Sequence, residues 1–213
     1  DGFYEDGSFI QHTAVPYTGS YGNVLLTDLA ALLPWLQDSP WACTDPARTN
    51  VLRWVYDSYE PLLYRGAMMD MVRGRAISRS GSQDHVIGHS ILQGLLRLSE
   101  FGAPADQARL RGMVKHWAQT DTYRNFTNNT PLPLLTAAIQ LMADGGTPAR
   151  GEKLGHWTFA SMDRVVHLRP GWGLGLSLHS SRVYNYECMN GENLKGWFTA
   201  DGMTYLYNND LAH

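Results

Sequence analysis

The sequence predicts an α+β chain, helical through its first two-thirds and built from short strands of an antiparallel sheet after that. Three observations predict it. Apolar residues recur at helical spacing in successive segments between residues 29 and 142. The run Gly145-Gly146-Thr147-Pro148 breaks that pattern. Beyond it, Leu174, Leu176 and Leu178 alternate with Gly173, Gly175, Ser177 and His179, which is the period of a strand. The chain divides accordingly into a helical part, residues 1–146, and a strand part, residues 147–213.

The elements follow in order. Thr27 or Asp28 is placed to cap a short apolar helix over 29–36. Asp45-Pro46 is a helix start, a capping acid before proline at the first helical position, and Val51, Leu52, Val55, Tyr59, Leu62 and Leu63 continue from it at helical spacing. Asp84 is the expected cap of a strong helix carrying Ile91, Leu92, Leu95 and Leu98 and stopped by Gly102. Pro104 opens the next helix, with Leu110, Met113, Val114 and Trp117. Another follows Pro131-Leu132-Pro133 and closes at Gly145. Short links between helices predict antiparallel packing, as in bundles or toroids. Strands are expected over 164–168, 173–179, 182–187 and 203–207. Four short strands leave a small sheet with open edges, so the chain is expected to be a piece of a longer protein.

Composition limits the function. The 213 residues are enough for a substantial core, and no run of about 18 apolar residues exists to span a membrane. Mean hydropathy is −0.29. The formal net charge of −3 argues against bulk nucleic-acid binding. Cys43 and Cys188 form neither a disulfide framework nor a zinc signature, and two buried free thiols are expected. The acidic start, Asp1-Gly2-Phe3-Tyr4-Glu5-Asp6, is no signal peptide, so any export signal is expected outside this chain. The sequence offers no phosphate-binding glycine loop, dinucleotide fingerprint or HExxH motif.

Three segments carry side chains suited to chemistry. The first, residues 6–23, is a glycine- and aromatic-rich loop containing His12, Tyr17 and Tyr21. Histidine handles protons near neutral pH, and a tyrosine can act as a base if cations lower its pKa. The second, residues 71–79, is the strongly basic stretch. Arg75 and Arg79 share a face if it is helical, while Arg73 points elsewhere, and a guanidinium fork suits a carboxylate or sulfate. The third, residues 185–197, crowds Glu187 and Glu192 with Asn185, Asn190 and Asn193 in a turn-like segment. It is placed to hold Arg75 or Arg79, to order a sugar or to cap strand ends. Its two acids would also suit a glycosidase, although nothing else in the sequence points there. Seven tryptophans and eleven tyrosines suit carbohydrate binding, although Trp54 and Trp117 are expected in the core. Asn125-Phe126-Thr127 and Asn128-Asn129-Thr130 match the glycosylation pattern weakly.

Together, and in this order, the segments resemble polysaccharide lyase family 8, which includes hyaluronate, chondroitin AC and xanthan lyases. The resemblance rests on DGSFIQHTAVPYTGSYGNVLL (6–26), MVRGRAISR (71–79) and LSLHSSRVYNYECMNGENLKGWFTADGMTYLYNND (176–210), and within the family the sequence looks most like bacterial hyaluronate lyases. It implies the last helices of an incomplete α/α toroid followed by the first strands of an antiparallel β-sandwich. It also implies eliminative cleavage of an anionic polysaccharide, hyaluronan or chondroitin, by a secreted enzyme needing no cofactor and no metal.

By the same resemblance His12, Tyr21, Arg75 and Glu187 are the catalytic set, Arg79 and Asn190 bind substrate, and Tyr17 is structural. Tyr21, deprotonated with help from Arg75, takes the C5 proton of a uronate and returns a proton to the departing oxygen; His12 as base with Tyr21 as acid is the alternative. The family's carboxylate-neutralising asparagine and its aromatic patch lie upstream of residue 1. The remainder of the same lyase is therefore an expected partner, and this chain alone is expected to be inactive. No nucleic acid or membrane is implied. A non-catalytic glycan-binding or scaffold piece, and a xanthan lyase, are the alternatives.

Overall fold

Residues 1–211 are described by the computed structural model. Among these residues, five regular helices lie within or beside the segments of helical apolar spacing. Helix α1 is Asn23–Leu36, α2 is Asn50–Trp54, α3 is Asp84–Leu98, α4 is Pro104–Thr120 and α5 is Leu132–Ala143. Asp45 caps the 3₁₀ turn Pro46–Thr49, its carboxylate accepting from the Ala47 amide at 2.7 Å. Prolines open the first turns of α4 and α5, where their missing N–H costs nothing. Helix α3 is central. Its Ile91, Leu92, Leu95 and Leu98 are fully buried, and it packs against α1, α4 and α5.

Several boundaries differ from those expected. Helix α1 starts at Asn23, before Thr27 and Asp28, because a π-helical turn, Thr18–Gly22, leads straight into it. The Thr27 hydroxyl donates to the Asn23 carbonyl inside the helix and caps nothing. The apolar series from Val51 to Leu63 is helical only in part: α2 passes into a π-helical turn, Val55–Tyr59, then a 3₁₀ turn, Glu60–Leu62, which contains Pro61. Asp84 is the first residue of α3, Gln83 holds its cap position, and the helix ends at Leu98, before Gly102. Cys43 and Cys188 are both exposed, on irregular segments outside the core. Trp117 is buried as expected, whereas Trp54 is half-buried and stacks on Phe3 at 4.4 Å.

Two small sheets lie within the helical part. Strands β1 (Gly2–Phe3), β2 (Phe9–Gln11) and β3 (Val15–Pro16) form an antiparallel sheet in the first chemical segment, where only loop was expected. Strands β4 (Leu63–Tyr64) and β5 (Ala67–Met68) form a hairpin whose turn residues Arg65 and Gly66 both have positive φ. Helix α3 lies directly on that turn. A Cβ at Gly88 would come 1.8 Å from the Gly66 carbonyl oxygen, so only glycine permits the approach.

The larger sheet runs β6 (Gly155–Phe159), β7 (Arg164–Arg169), β8 (Trp172–Ser177) and β9 (Met203–Tyr207), antiparallel throughout and in that spatial order. Strand β6 was not expected, and the expected strand over 182–187 is absent. That segment is instead a loop held by the Tyr184 amide on the Ala14 carbonyl at 2.9 Å. The inner face of the sheet, with Val166, Leu168 and Tyr207, joins the helical core. Gly175 on β8 lies so close to Met71 that a Cβ would meet its sulfur at 2.9 Å. The buried Arg164 guanidinium also reaches back from β7, its Nε donating to the Met71 carbonyl at 2.8 Å. The sheet thereby fixes the backbone just ahead of Arg73, Arg75 and Arg79.

A second anchor ties the link before the sheet to the helices. Glu60, almost wholly buried, accepts from Arg109 of α4 at 3.1 Å and from Lys153 at 3.0 Å, and also pairs with Arg150. Arg65 pairs with Glu152 beside it at 3.0 Å.

Candidate active site

The site begins with the local structure of residues 9–22. Strands β2 and β3 flank His12 and Thr13, whose positive φ values (51° and 72°) turn the chain. The π-helical turn follows, closed by the Gly22 amide on the Tyr17 carbonyl at 3.0 Å. A turn widened by one residue brings the rings of Tyr17 and Tyr21 edge to face at 4.9 Å, with His12 4.8 Å from Tyr21 and 5.6 Å from Tyr17. Glycine is required close by. A Cβ at Gly19 would fall 2.8 Å from side-chain atoms of both Arg73 and Met68.

The arginines come from a 3₁₀ turn, Gly74–Ser78, with Arg79 extended just past its end. Gly74 has φ +53°, and a Cβ there would lie 2.3 Å from the Tyr17 ring. Tyr17 therefore stands against the backbone of the arginine turn, fully buried. Arg73 turns away from the others, buried and paired with Asp70.

The carboxylates come from the long loop between β8 and β9. A β-bridge between Met189 and Glu192 closes a tight turn with positive φ at Asn190 and Gly191. The turn docks on the arginine segment, the Asn193 amide donating to the Ser78 hydroxyl at 3.1 Å. The Asn193 side chain donates to the Glu187 carbonyl at 2.9 Å.

These three elements converge on Arg75. Its Nη1 donates to Glu187 Oε2 at 2.8 Å and to the Tyr17 hydroxyl at 2.9 Å. Its Nε donates to Glu192 Oε2 at 2.7 Å, and its Nη2 to the Tyr21 hydroxyl oxygen at 3.2 Å. The Tyr17 hydroxyl donates to Glu187 Oε2. His12 Nδ1 lies 2.5 Å from Glu187 Oε1. An ionised carboxylate only accepts, so Nδ1 is the donor of this bond. Arg79 grips Glu192 with both ends of its fork, Nε to Oε1 at 2.6 Å and Nη2 to Oε2 at 2.9 Å.

The electrostatics follow from this geometry. Burial opposes charge on Glu187, but donors from Tyr17, His12 and Arg75 outweigh it, and the carboxyl sits below its ordinary pKa. Glu192 is held down to about 2, first by Arg79, against an opposing cost of burial, and then by Arg75. Tyr17 is pushed up, by burial first and then by the carboxylate that accepts its proton, so it stays a phenol at physiological pH. Chemically, the cluster presents the hydroxyl of the half-buried Tyr21 to a guanidinium, beside an imidazole oriented by Glu187. That arrangement can take up and return a proton at one oxygen.

The structure thus brings His12, Tyr21, Arg75, Glu187 and Arg79 into one network. Asn190 stands apart, exposed on the turn and making none of the hydrogen bonds that hold the cluster. Glu187 sits on a loop where a strand was expected. Tyr17, expected to be structural, is fully buried and bonded to both Glu187 and Arg75, contacts that no local sequence pattern announces. No helix is long and apolar enough to cross a membrane among the described residues.

Comparison with known proteins agrees with this arrangement. Residues 1–116 match the model of the polysaccharide lyase family 8 N-terminal alpha-helical domain, and residues 154–213 match that of the family's super-sandwich domain. Xanthan lyase of Bacillus sp. (strain GL1) is 46% identical over 213 residues, which is 100% of this chain and 23% of that protein. Hyaluronate lyase of Thermasporomyces composti is 41% identical over 215 residues, 100% of this chain and 28% of that protein. The solved structure of Paenibacillus xanthan lyase superposes with a TM-score of 0.97 at 51% identity, covering 99% of this chain and 20% of that one. The chain therefore spans about a quarter of the length of these curated relatives. A helical domain followed by the first strands of an antiparallel sheet, with both family models matched in order, makes this chain a member of polysaccharide lyase family 8.

Proposed function

We propose that this chain carries the proton-handling part of a lyase that breaks a uronate-containing acidic polysaccharide by β-elimination, with residues 1–146 ending its helical domain and 147–213 beginning its sandwich. The observation that supports this most is Arg75, whose guanidinium faces the Tyr21 oxygen while bound to Glu187, itself bonded to His12. Tyr21, as phenolate, takes the C5 proton. The C–H electron pair becomes the C4–C5 double bond, the C4–O bond breaks, and Tyr21 returns its proton to the departing oxygen. Arg75 faces the charge on the phenolate oxygen, and Glu187 fixes Arg75 and His12. Neutralising the uronate carboxylate falls to an asparagine outside these residues, helped by His12, whose Nε2 must carry a proton to donate to it. Arg79 and Asn190 bind the polymer. The reaction needs no cofactor, and a polymeric substrate places the enzyme outside the cell.

The identities put xanthan first among the polymers to try, although the motifs look most like hyaluronate lyases. Hyaluronan and chondroitin follow. Ultraviolet absorbance of the conjugated uronate, followed with the longer polypeptide that contains this chain, tests the reading. A rise is expected, and Tyr21→Phe is expected to lower it by about 10²–10⁴-fold while polymer binding persists. A folded protein that binds these polymers and gives no rise with any would leave a glycan-binding module.

A further inference from the structure

The basic segment is not a free anion site. Arg75 and Arg79 are matched by Glu187 and Glu192, so the four side chains together carry no net charge. The two carboxylates differ in place. Glu187 is buried behind the arginines with Tyr17 and His12 on it. Glu192 is partly exposed, on a turn with glycine at its tip, and holds Arg79 through both ends of the guanidinium fork. That is how arginine takes the carboxylate or sulfate of an acidic sugar.

We propose that Glu192 is a specificity-determining residue: an internal carboxylate that occupies Arg79 in place of the substrate's anionic group and sets how strongly the site responds to substrate charge. The inference rests on the proposed function, in which Arg79 faces the polymer. An acidic sugar reaching Arg79 must share or displace Glu192, and the carboxylate's own charge opposes it. A neutral sugar meets neither cost. The Glu192 bond to Arg75 Nε holds that guanidinium while Arg79 changes partner. The site thereby trades affinity for acidic polymer against a catalytic arginine that is already placed when substrate arrives.

The test uses the longer polypeptide with Tyr21→Phe, so that binding is read without turnover, and titration calorimetry with two probes, a hyaluronan hexasaccharide and its carboxyl-reduced neutral form. Glu192→Gln is expected to tighten the acidic probe by about 3- to 10-fold at low salt, with the gain fading at high salt and the neutral probe unmoved. Glu192→Asp, which keeps the charge, is expected to stay within about two-fold of the parent. Equal or weaker binding of the acidic probe by Glu192→Gln, equal tightening of both probes, or no binding by either protein overturns the proposal. Should Glu192→Gln fail to fold, the Tyr21→Phe protein with Glu192 intact still decides. The Arg79 Nε–H resonance is expected to shift on addition of the acidic probe, and an unmoved signal at saturation overturns it. Tightening without any eliminative product from the parent enzyme would sink the lyase reading and leave the Glu192 inference standing. Product formation with unchanged acidic binding would do the reverse.

Discussion

Tyr17 and Tyr21 meet edge to face at 4.9 Å, yet their hydroxyls are used differently: Tyr17 donates a hydrogen bond to Glu187 as well as accepting from Arg75, while Tyr21 accepts from Arg75. Two tyrosines on one π-helical turn are thus sorted by burial and partners. Tyr17 is enclosed and held as a phenol, and Tyr21 is only partly buried.

The contrast makes Tyr17→Phe informative. The change removes one donor from Glu187 and leaves Arg75 and His12 on it. Stability is expected to fall by about 1–2 kcal/mol. The Glu187 carboxyl, now missing a donor that keeps it charged, rises toward its ordinary value, so the acidic limb of a pH–rate profile should move to higher pH. In the longer polypeptide, on the mechanism proposed above, turnover is expected to fall about 10-fold with little change in KM, well short of the loss for Tyr21→Phe. A profile identical to the parent's would show that Tyr17 only fills space.

Gly74 is the matching backbone requirement. Gly74→Ala places a methyl 2.3 Å from the Tyr17 ring at φ +53°, and is expected to cost about 2–4 kcal/mol by chemical denaturation. Gly81→Ala, just beyond the arginine segment with open space around its Cβ, is the control and should change stability by less than about 0.5 kcal/mol.

His116 sets a pH dependence away from the site. Burial pushes its imidazole down to about 4, with Arg150 adding to the shift, Glu152 opposing it and Arg65 again adding. The folded state therefore binds its proton less readily than the unfolded chain does. His116 is neutral and costs nothing above about pH 6.5, and stability is lost as pH falls from there toward 4. The loss should reach about 2 kcal/mol in thermal melts, and His116→Gln should flatten that part of the curve.

Glu60 gives a charge test of the link to the sheet. Glu60→Gln leaves Arg150, Arg109 and Lys153 facing a neutral amide in a buried setting. A loss of about 3 kcal/mol is expected. Hydrogen exchange should rise first across 147–154, the segment this carboxylate holds. Uniform exchange across the chain would show that Glu60 is no special anchor.

Much of this was legible in the sequence, for identifiable reasons. Pro104 and the Pro131-Leu132-Pro133 run marked two helix starts because proline at a first turn carries its own mechanism. Alternation at 173–177 marked β8 because its glycines and serine face the core and its leucines do not. Strand β6 carried the same signal, with His156 and Thr158 outward and Trp157 and Phe159 inward, and was overlooked because only Phe159 is fully buried. The run 182–187 misled because β-branched and aromatic residues suit strands, whereas here Val183 is the one apolar side chain buried and the backbone bonds to Ala14. At the site, the spacing of Arg75 and Arg79 showed that they act together. That both turn to Glu192 depends on a tight turn more than a hundred residues away, which no local pattern encodes.

His12 and Arg75 meet Glu187 across 175 and 112 residues of chain. Closing loops of that size costs entropy that no local contact repays, so the network depends on α3 and the four-stranded sheet to hold its parts in place. Until they do, guanidinium and carboxylate groups destined for burial stay in water, and the tyrosine oxygen faces no cation. Completion of the fold and assembly of this charged network are one event in this chain, and a misfolded copy never brings these side chains together.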